Sequence, residues 1–285
     1  MNKSIRNLIV FAAVTAGAGF AGVALDRALG TPDIRQGPGI LLFLVAPVAA
    51  ALLLRTFAGD GWQDLGFWPK LRASWPWYLA GLLIVAVAFA LSTGFGLLAG
   101  TATLGGPGLA AFVSLLGAAL AGSFVKNIFE EVAWRGYLTP RLAALRLNPV
   151  LVYLFTGLVW ASWHIPYYLY FMDRAVLAAN TTLSPAGLAL LAFIILPFHS
   201  VTYGELRFIS GSLWPGVLAH TLANALGFVL IGEGFVRNSG GFLLSPSGDG
   251  LPHTLLFALA GLGLYLYRTH RPSLPAAARV GAARA

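Results

Sequence analysis

The sequence predicts an all-α, polytopic transmembrane bundle of about eight helices. Three observations carry this. Of the 285 residues, 58% are hydrophobic and only 10% charged, and the mean hydropathy is +0.79. That composition belongs to membrane domains rather than soluble ones. A spanning helix needs about 20 largely apolar residues, and such stretches run at roughly 7–25, 38–54, 76–99, 108–138, 149–170, 186–204, 213–232 and 251–267. The runs are continuous rather than alternating, which selects helices over a closed barrel.

The elements follow in order. The first stretch, after Lys3 and Arg6, has the look of a signal peptide. It is expected to be retained as the first helix, because its loss would leave seven spans and invert the charge bias. Segment 56–75 interleaves Trp62, Trp68 and Trp75 with Asp60, Asp64, Lys70 and Arg72. Tryptophan beside charge suits the headgroup region, so this piece should lie along the interface. Gly100–Gly108 is uncharged and reads as a tight outer turn. Gly136 and Pro140 mark the expected end of the fourth helix, and Asn148 with Pro149 the cap and start of the fifth. Ser212 can cap the seventh, with Pro215 tolerated in its first turn. The Gly- and Ser-rich segment 232–250 reads as a flexible outer loop. Residues 1–270 form one transmembrane domain in this reading, and 271–285 a disordered basic tail near anionic lipid.

Charge placement orients the chain. With eight spans both termini share one side. That side carries Lys3, Arg6, Arg55, Lys70, Arg72, Arg141, Arg146, Arg207, Arg268, Arg271, Arg279 and Arg284, and the other carries Arg27, Arg35, Arg174 and Arg237. The imbalance places both termini in the cytoplasm. The net charge of +8 does not signal nucleic acid, because the basic residues are scattered over loops and tail. The chain has no cysteine, which excludes disulfides, thiolate metal sites and a cysteine nucleophile.

Polar residues inside spans are costly and usually functional. Glu130 and Glu131 lie near the end of the fourth span with Arg135. Successive helical residues point about 100° apart, so the two carboxylates face differently. Glu131 and Arg135, four apart in acid-first order, should pair. Glu130 is then free to face a cavity, where a carboxylate suits a general base. An ion-paired helix end that only anchors the span would look the same. His164 follows Trp160 by one turn, and Pro166 leaves the Ser162 carbonyl without its helical donor. A lone histidine there could equally be a packing residue. His220 and Asn224 are four apart and can point into one pocket, or form an interhelical hydrogen-bond pair. Together an acid, two imidazoles and an amide are the parts for hydrolysis by activated water. Glu130, His164 and His220 could instead hold Zn2+, although the helical His-Glu-x-x-His motif is absent. At 1.5 Å per residue, Glu130 lies about 15 Å from Pro140 and His220 about 10 Å from Leu213, whereas His164 lies about 22 Å from Pro149, deeper than the others. His199, Tyr203 and Glu205 could line an entrance, while His253 and His270 sit at span ends and should face the interface.

The pattern Glu-Glu-x-x-x-Arg, aromatic-x-x-x-His and His-x-x-x-Asn resembles the CPBP family, the type II CAAX prenyl proteases and the Abi-type, bacteriocin-processing or immunity proteins described as intramembrane metalloproteases. Glu130–Leu138 looks like the family's first motif with its trailing Arg-Gly-Tyr-Leu, and Gly211–Pro215 leading to His220 and Asn224 looks like its third. The likeness covers about residues 110–230. It implies an eight-helix bundle with a cytoplasm-facing cavity, in a multi-pass protein of a prokaryotic plasma membrane. It further implies that Glu130 and His164 activate water, that His220 and Asn224 stabilise the oxyanion, and that Glu131 and Arg135 support the site. Trp160 stands where the family more often has Phe, a change expected to affect packing rather than chemistry.

The leading expectation is an intramembrane endopeptidase acting on a membrane-associated, lipidated or apolar peptide. A non-catalytic scaffold or immunity protein of the same fold is the alternative, and a proton-linked transporter a third. The transporter is disfavoured because no repeat or matched pair of broken helices is visible.

Overall fold

The computed structural model describes residues 2–239, 241 and 244–271. The basic tail expected over 271–285 therefore lies, beyond Arg271, outside the described residues. Among the described residues ten α-helices account for most of the structure: α1 Lys3–Ala28, α2 Gly39–Phe57, α3 Leu71–Leu98, α4 Leu109–Ala133, α5 Thr139–Ala144, α6 Pro149–Pro166, α7 Arg174–Asn180, α8 Pro185–Ser210, α9 Trp214–Gly227 and α10 Leu251–Thr269. Each of the eight apolar stretches corresponds to one long helix. Seven are long and apolar enough to cross a membrane. The eighth, α10, falls outside that group because Pro252, His253 and Arg268 dilute its 19 residues.

Several boundaries are where the local chemistry puts them. Asn148 accepts from the Val150 N–H at 2.9 Å and caps α6 ahead of Pro149. The cap position of α9 is Leu213, which has no side-chain cap bond; Ser212, expected there, lies one residue earlier and accepts from the Trp214 N–H at 3.3 Å. Gly211 ends α8 at φ 63°, a conformation open to glycine. The fourth helix does not stop at Gly136. It passes through a π-helical turn, Trp134–Leu138, and continues as α5. The Thr139 N–H bonds the Trp134 carbonyl across this wide turn, and Pro140 sits at the start of the next segment, where it lacks only an N–H that needs no partner.

Long helices approach closely through glycine. A Cβ on Gly157 of α6 would lie 2.3 Å from Pro197 of α8, and one on Gly22 of α1 would lie 2.3 Å from the Gly39 carbonyl at the start of α2. Without a hydrophobic force between helices in lipid, such backbone contact supplies the dispersion attraction that holds a bundle together.

Both ends of the described chain come to the same end of the bundle. Lys3 reaches Gly59, and Asn7 donates to Asp60 at 3.1 Å. Near Thr269, Arg268 grips Glu205 of α8, with Nε to Oε2 at 2.6 Å and Nη2 to Oε1 at 2.8 Å. Tyr153, near the start of α6, donates to the same carboxylate. At the opposite end Ala102–Leu104 pairs antiparallel with Val236–Asn238 as a two-stranded ribbon. The two strands fall within the turn expected at Gly100–Gly108 and the flexible loop expected at 232–250. The signal is three residues long in each case, too short for periodicity to register.

Segment 58–70 is a strap across the terminal end. Trp62, Trp68 and Trp75 are exposed, as an interfacial piece would have them. Its inner groups are tied down. Asp64 pairs with Arg55 at 2.8 Å and with Arg141, while Asp60 accepts from Tyr137 at 2.7 Å. The Gly66 carbonyl accepts from the Leu213 N–H at 2.9 Å.

Arg268 and Glu205 are 3% and 0% exposed, so removing one leaves the other charge buried. Arg268→Met is expected to destabilise by about 3–5 kcal/mol, and Arg268→Met with Glu205→Gln by much less. Thermal unfolding in detergent checks this; equal melting temperatures for the two variants would contradict it.

Candidate active site

The site is built from α4, α6 and α9, and each carries a π-turn just after its polar residues. Trp134–Leu138 follows Glu131, Tyr167–Phe171 follows His164, and Phe228–Gly232 follows Asn224. π-turns widen a helix and re-aim its side chains, and they recur at functional sites.

Glu131 and Arg135 form the expected pair at 3.0 Å, with both side chains fully buried. Glu131 Oε1 also accepts from His220 Nδ1 at 2.9 Å. The guanidinium lies between two aromatic rings, 4.4 Å from Trp160 and 4.8 Å from Tyr203. Stacking of this kind lowers the cost of burying the cation.

Glu130 is not free, contrary to the expectation. Its Oε1 pairs with Lys126 Nζ at 2.6 Å. Its Oε2 accepts from the indole N–H of Trp160 at 3.1 Å and of Trp134 at 3.3 Å. Lys126 and Trp134 sit four residues either side of Glu130, so the fold is using the i, i+4 spacing twice. Trp160 is therefore more than packing. Where a phenylalanine would present only a ring edge, this indole donates to the acid.

Trp160 is also the hub of the site. Its carbonyl bonds His164 Nδ1 at 2.9 Å, and its ring lies 5.4 Å from that of His220. A carbonyl only accepts, so His164 carries its proton on Nδ1 and presents Nε2 as an acceptor. His220 is held the same way by Glu131, with Nε2 as its remaining atom. The extra depth of His164 along its helix does not remove it from the group, because both imidazoles line one cavity. Asn224 lines it too, and donates one amide N–H to Asn127 Oδ1 at 3.0 Å, leaving the second.

The cavity is about 830 Å³. It extends from Lys126 and His220 toward the end away from the termini, past Met172, Thr181 and Ser245. A mouth at the terminal end, which the resemblance implies together with cytoplasmic termini, is closed. There the π-turn Trp134–Leu138 is buried, with Arg55 donating to the Gly136 carbonyl and Arg207 to that of Arg135 at 3.2 Å. His199, Tyr203 and His253 line the cavity, whereas Glu205 is spent on the Arg268 pair. His253 is 2% exposed and packs against Phe257, so it does not face the interface. Lys126, Asn127 and Trp134 complete the site beyond the residues first singled out, and Trp160 gains a polar role there. The spacing of Lys126 and Trp134 from Glu130 was a usable signal, and the Asn127–Asn224 pair had none.

Residues 112–226 match the Rce1-like family of type II CAAX prenyl endopeptidases. No curated protein matches the chain. The Rce1-like segment runs from within α4 to within α9 and contains Lys126, Asn127, Glu130, Glu131, Arg135, Trp160, His164, His220 and Asn224. The strap 58–70 and the segment joining α9 to α10 lie outside it. The family is one of membrane proteases, and the polytopic helical architecture agrees with that.

A zinc ion on Glu130, His164 and His220 does not fit this arrangement. Both Glu130 oxygens already accept from Lys126, Trp134 and Trp160. Among the described residues no three His, Asp or Glu side chains gather closely enough to hold a metal ion. The free Nε2 atoms of the two imidazoles are suited to holding a water instead.

The two glutamates should differ in what they do for folding. Glu131→Ala strands a fully buried Arg135 and is expected to cost about 3–5 kcal/mol. Glu130→Gln keeps an acceptor for both indoles and leaves Lys126 able to turn into the cavity, and should cost about 1 kcal/mol or less. Melting temperatures in detergent check the contrast; equal losses would contradict it.

Proposed function

We propose that this protein is an intramembrane endopeptidase that hydrolyses a peptide bond of a membrane-associated, lipid-bearing substrate by means of side-chain-activated water. The single observation that carries this reading is the position of Glu130. It is a buried carboxylate held by three donors, two of which, Lys126 and Trp160, line the same cavity as His164 and His220.

A carboxylate has about four lone-pair sites. Lys126, Trp134 and Trp160 occupy three, which leaves one for a water proton. His164 Nε2 offers a second acceptor on the same cavity wall. A water held between them is oriented and, as it attacks the carbonyl, gives its proton to Glu130. Lys126 balances the carboxylate before the transfer, and the indoles prevent it from rotating away. The tetrahedral oxyanion then needs donors. The second amide N–H of Asn224 is one. His220 is the other in its imidazolium form, in which Nε2–H points to the cavity and Nδ1–H stays on Glu131. Glu131 and Arg135 touch no reacting atom in this scheme. They set the orientation of His220. The proton on Glu130 passes to the leaving amine and restores the carboxylate.

The substrate class follows from the Rce1-like segment and from the cavity. Its walls are mostly apolar, with Phe43, Leu115, Leu188 and Phe228 among them, and would accommodate an apolar tail. Placing the terminal end in the cytoplasm follows the positive-inside rule, and a multi-pass location in a plasma membrane fits this reading.

The test is cleavage of an S-farnesylated, fluorogenic peptide ending in a CAAX sequence by purified protein in detergent. Glu130→Gln and His220→Ala should each lower kcat by about 100-fold or more, consistent with loss of general acid–base or oxyanion terms. Melting temperature, read alongside, should stay near the parent value for Glu130→Gln. Full turnover by either variant would reject the scheme. Cleavage that survives exhaustive chelation supports water activation without a metal, and loss restored by added zinc would reject it.

A further inference from the structure

The segment joining α9 to α10 lies beyond the Rce1-like residues, yet it forms one wall of the cavity through Ser245, Ser247, Gly248 and Asp249. Among the described lining residues the one Lys or Arg is Lys126 and the one Asp or Glu is Asp249. Lys126 is satisfied by Glu130. Asp249 has no hydrogen bond or ion pair among the described residues, although it is half-buried. It does not serve the helix that follows, because α10 is capped by Gly250 with no side-chain bond. Its electrostatic neighbours are Tyr167 and Tyr168, on the π-turn that ends α6. Those rings in turn flank His164, at 6.3 and 5.9 Å. The carboxylate therefore stands one ring beyond the proposed water-activating imidazole.

A half-buried carboxylate with no partner among the described residues is costly, and a ligand cation removes that cost. An ammonium or guanidinium placed there gains a charge-assisted hydrogen bond from Asp249, with the two tyrosines lining the same cavity beside it. An apolar group would bury the charge uncompensated, and an anion would be repelled. We propose that Asp249, with Tyr167 and Tyr168, forms a cation subsite that takes a lysine or arginine side chain of the peptide substrate near the scissile bond. Burial pushes the Asp249 carboxyl above the usual carboxylate range, as expected for an acid without its cation. This subsite rests on the peptidase reading but can be tested apart from turnover.

The probe is a series of S-farnesylated peptides that differ only by Lys, norleucine or Glu at successive positions around the cleaved bond. Binding to the Glu130→Gln protein is read by quenching of tryptophan fluorescence, and cleavage by the parent protein is read separately. At one position the Lys peptide should bind about 10-fold or more tighter than the norleucine peptide, the size of one charge-assisted hydrogen bond. Adding Asp249→Asn should abolish that discrimination, and Asp249→Lys should turn it toward Glu. Melting temperature should not fall in Asp249→Asn, since a buried charge is removed. A Lys-to-norleucine ratio that is flat at every position, or that survives Asp249→Asn in folded protein, overturns the subsite even if all peptides are cleaved. Lys preference that is lost in Asp249→Asn, together with no cleavage by the parent protein, upholds the subsite and rejects the peptidase reading.

Discussion

Two carboxylates lie side by side in an apolar bundle, and the site is organised by the need to neutralise them. A buried charge without a partner costs several kcal/mol, so each acid must find cations and donors on whatever helices are near. Glu131 does so with Arg135 and His220. Glu130 does so with Lys126 and two indoles. Because the donors come from α4, α6 and α9, satisfying the charges also fixes the three helices against one another. Position and compensation are the same interaction here.

The two acids consequently take different parts. Glu131 is fully enclosed and spends its bonds on orienting an imidazole. Glu130 is held by three donors, of which Lys126 and Trp160 line the cavity. Trp160 links the two halves, since it donates to Glu130, holds His164 through its carbonyl and stacks on Arg135. The strap extends the arrangement outward. By pairing Asp64 with Arg55 and Arg141, it clamps the π-turn that carries Arg135 and seals that end of the bundle.

Much of the fold could be read from the sequence because it depends on local properties. Apolar length marked all eight long helices. Asn148 marked a helix start, since a cap bonds residues only two positions away, whereas Ser212 lies one residue before the cap position of α9. The Glu131–Arg135 pair was readable for the same reason. Gly136 and Pro140 misled, because a π-turn accommodates both without ending the helix. The two short strands left no pattern, and the joining segment before α10 read as free loop because its composition carries no sign of what it packs against.

The sequence by itself determined that the chain is a helical membrane bundle, that its charges are unequally divided between two sides, and that an acid, two imidazoles and an amide sit at helical spacings within spans. These follow from composition and period. The tertiary structure alone decided which groups meet. The Trp160 indole reaches Glu130 across 30 residues, His220 reaches Glu131 across 89, and Asn224 reaches Asn127 across 97. It also decided that the cavity extends away from the termini and that Asp249 stands at its wall. No local rule specifies such contacts, because they arise from how closely glycine lets the helices approach and from where buried charge can be satisfied.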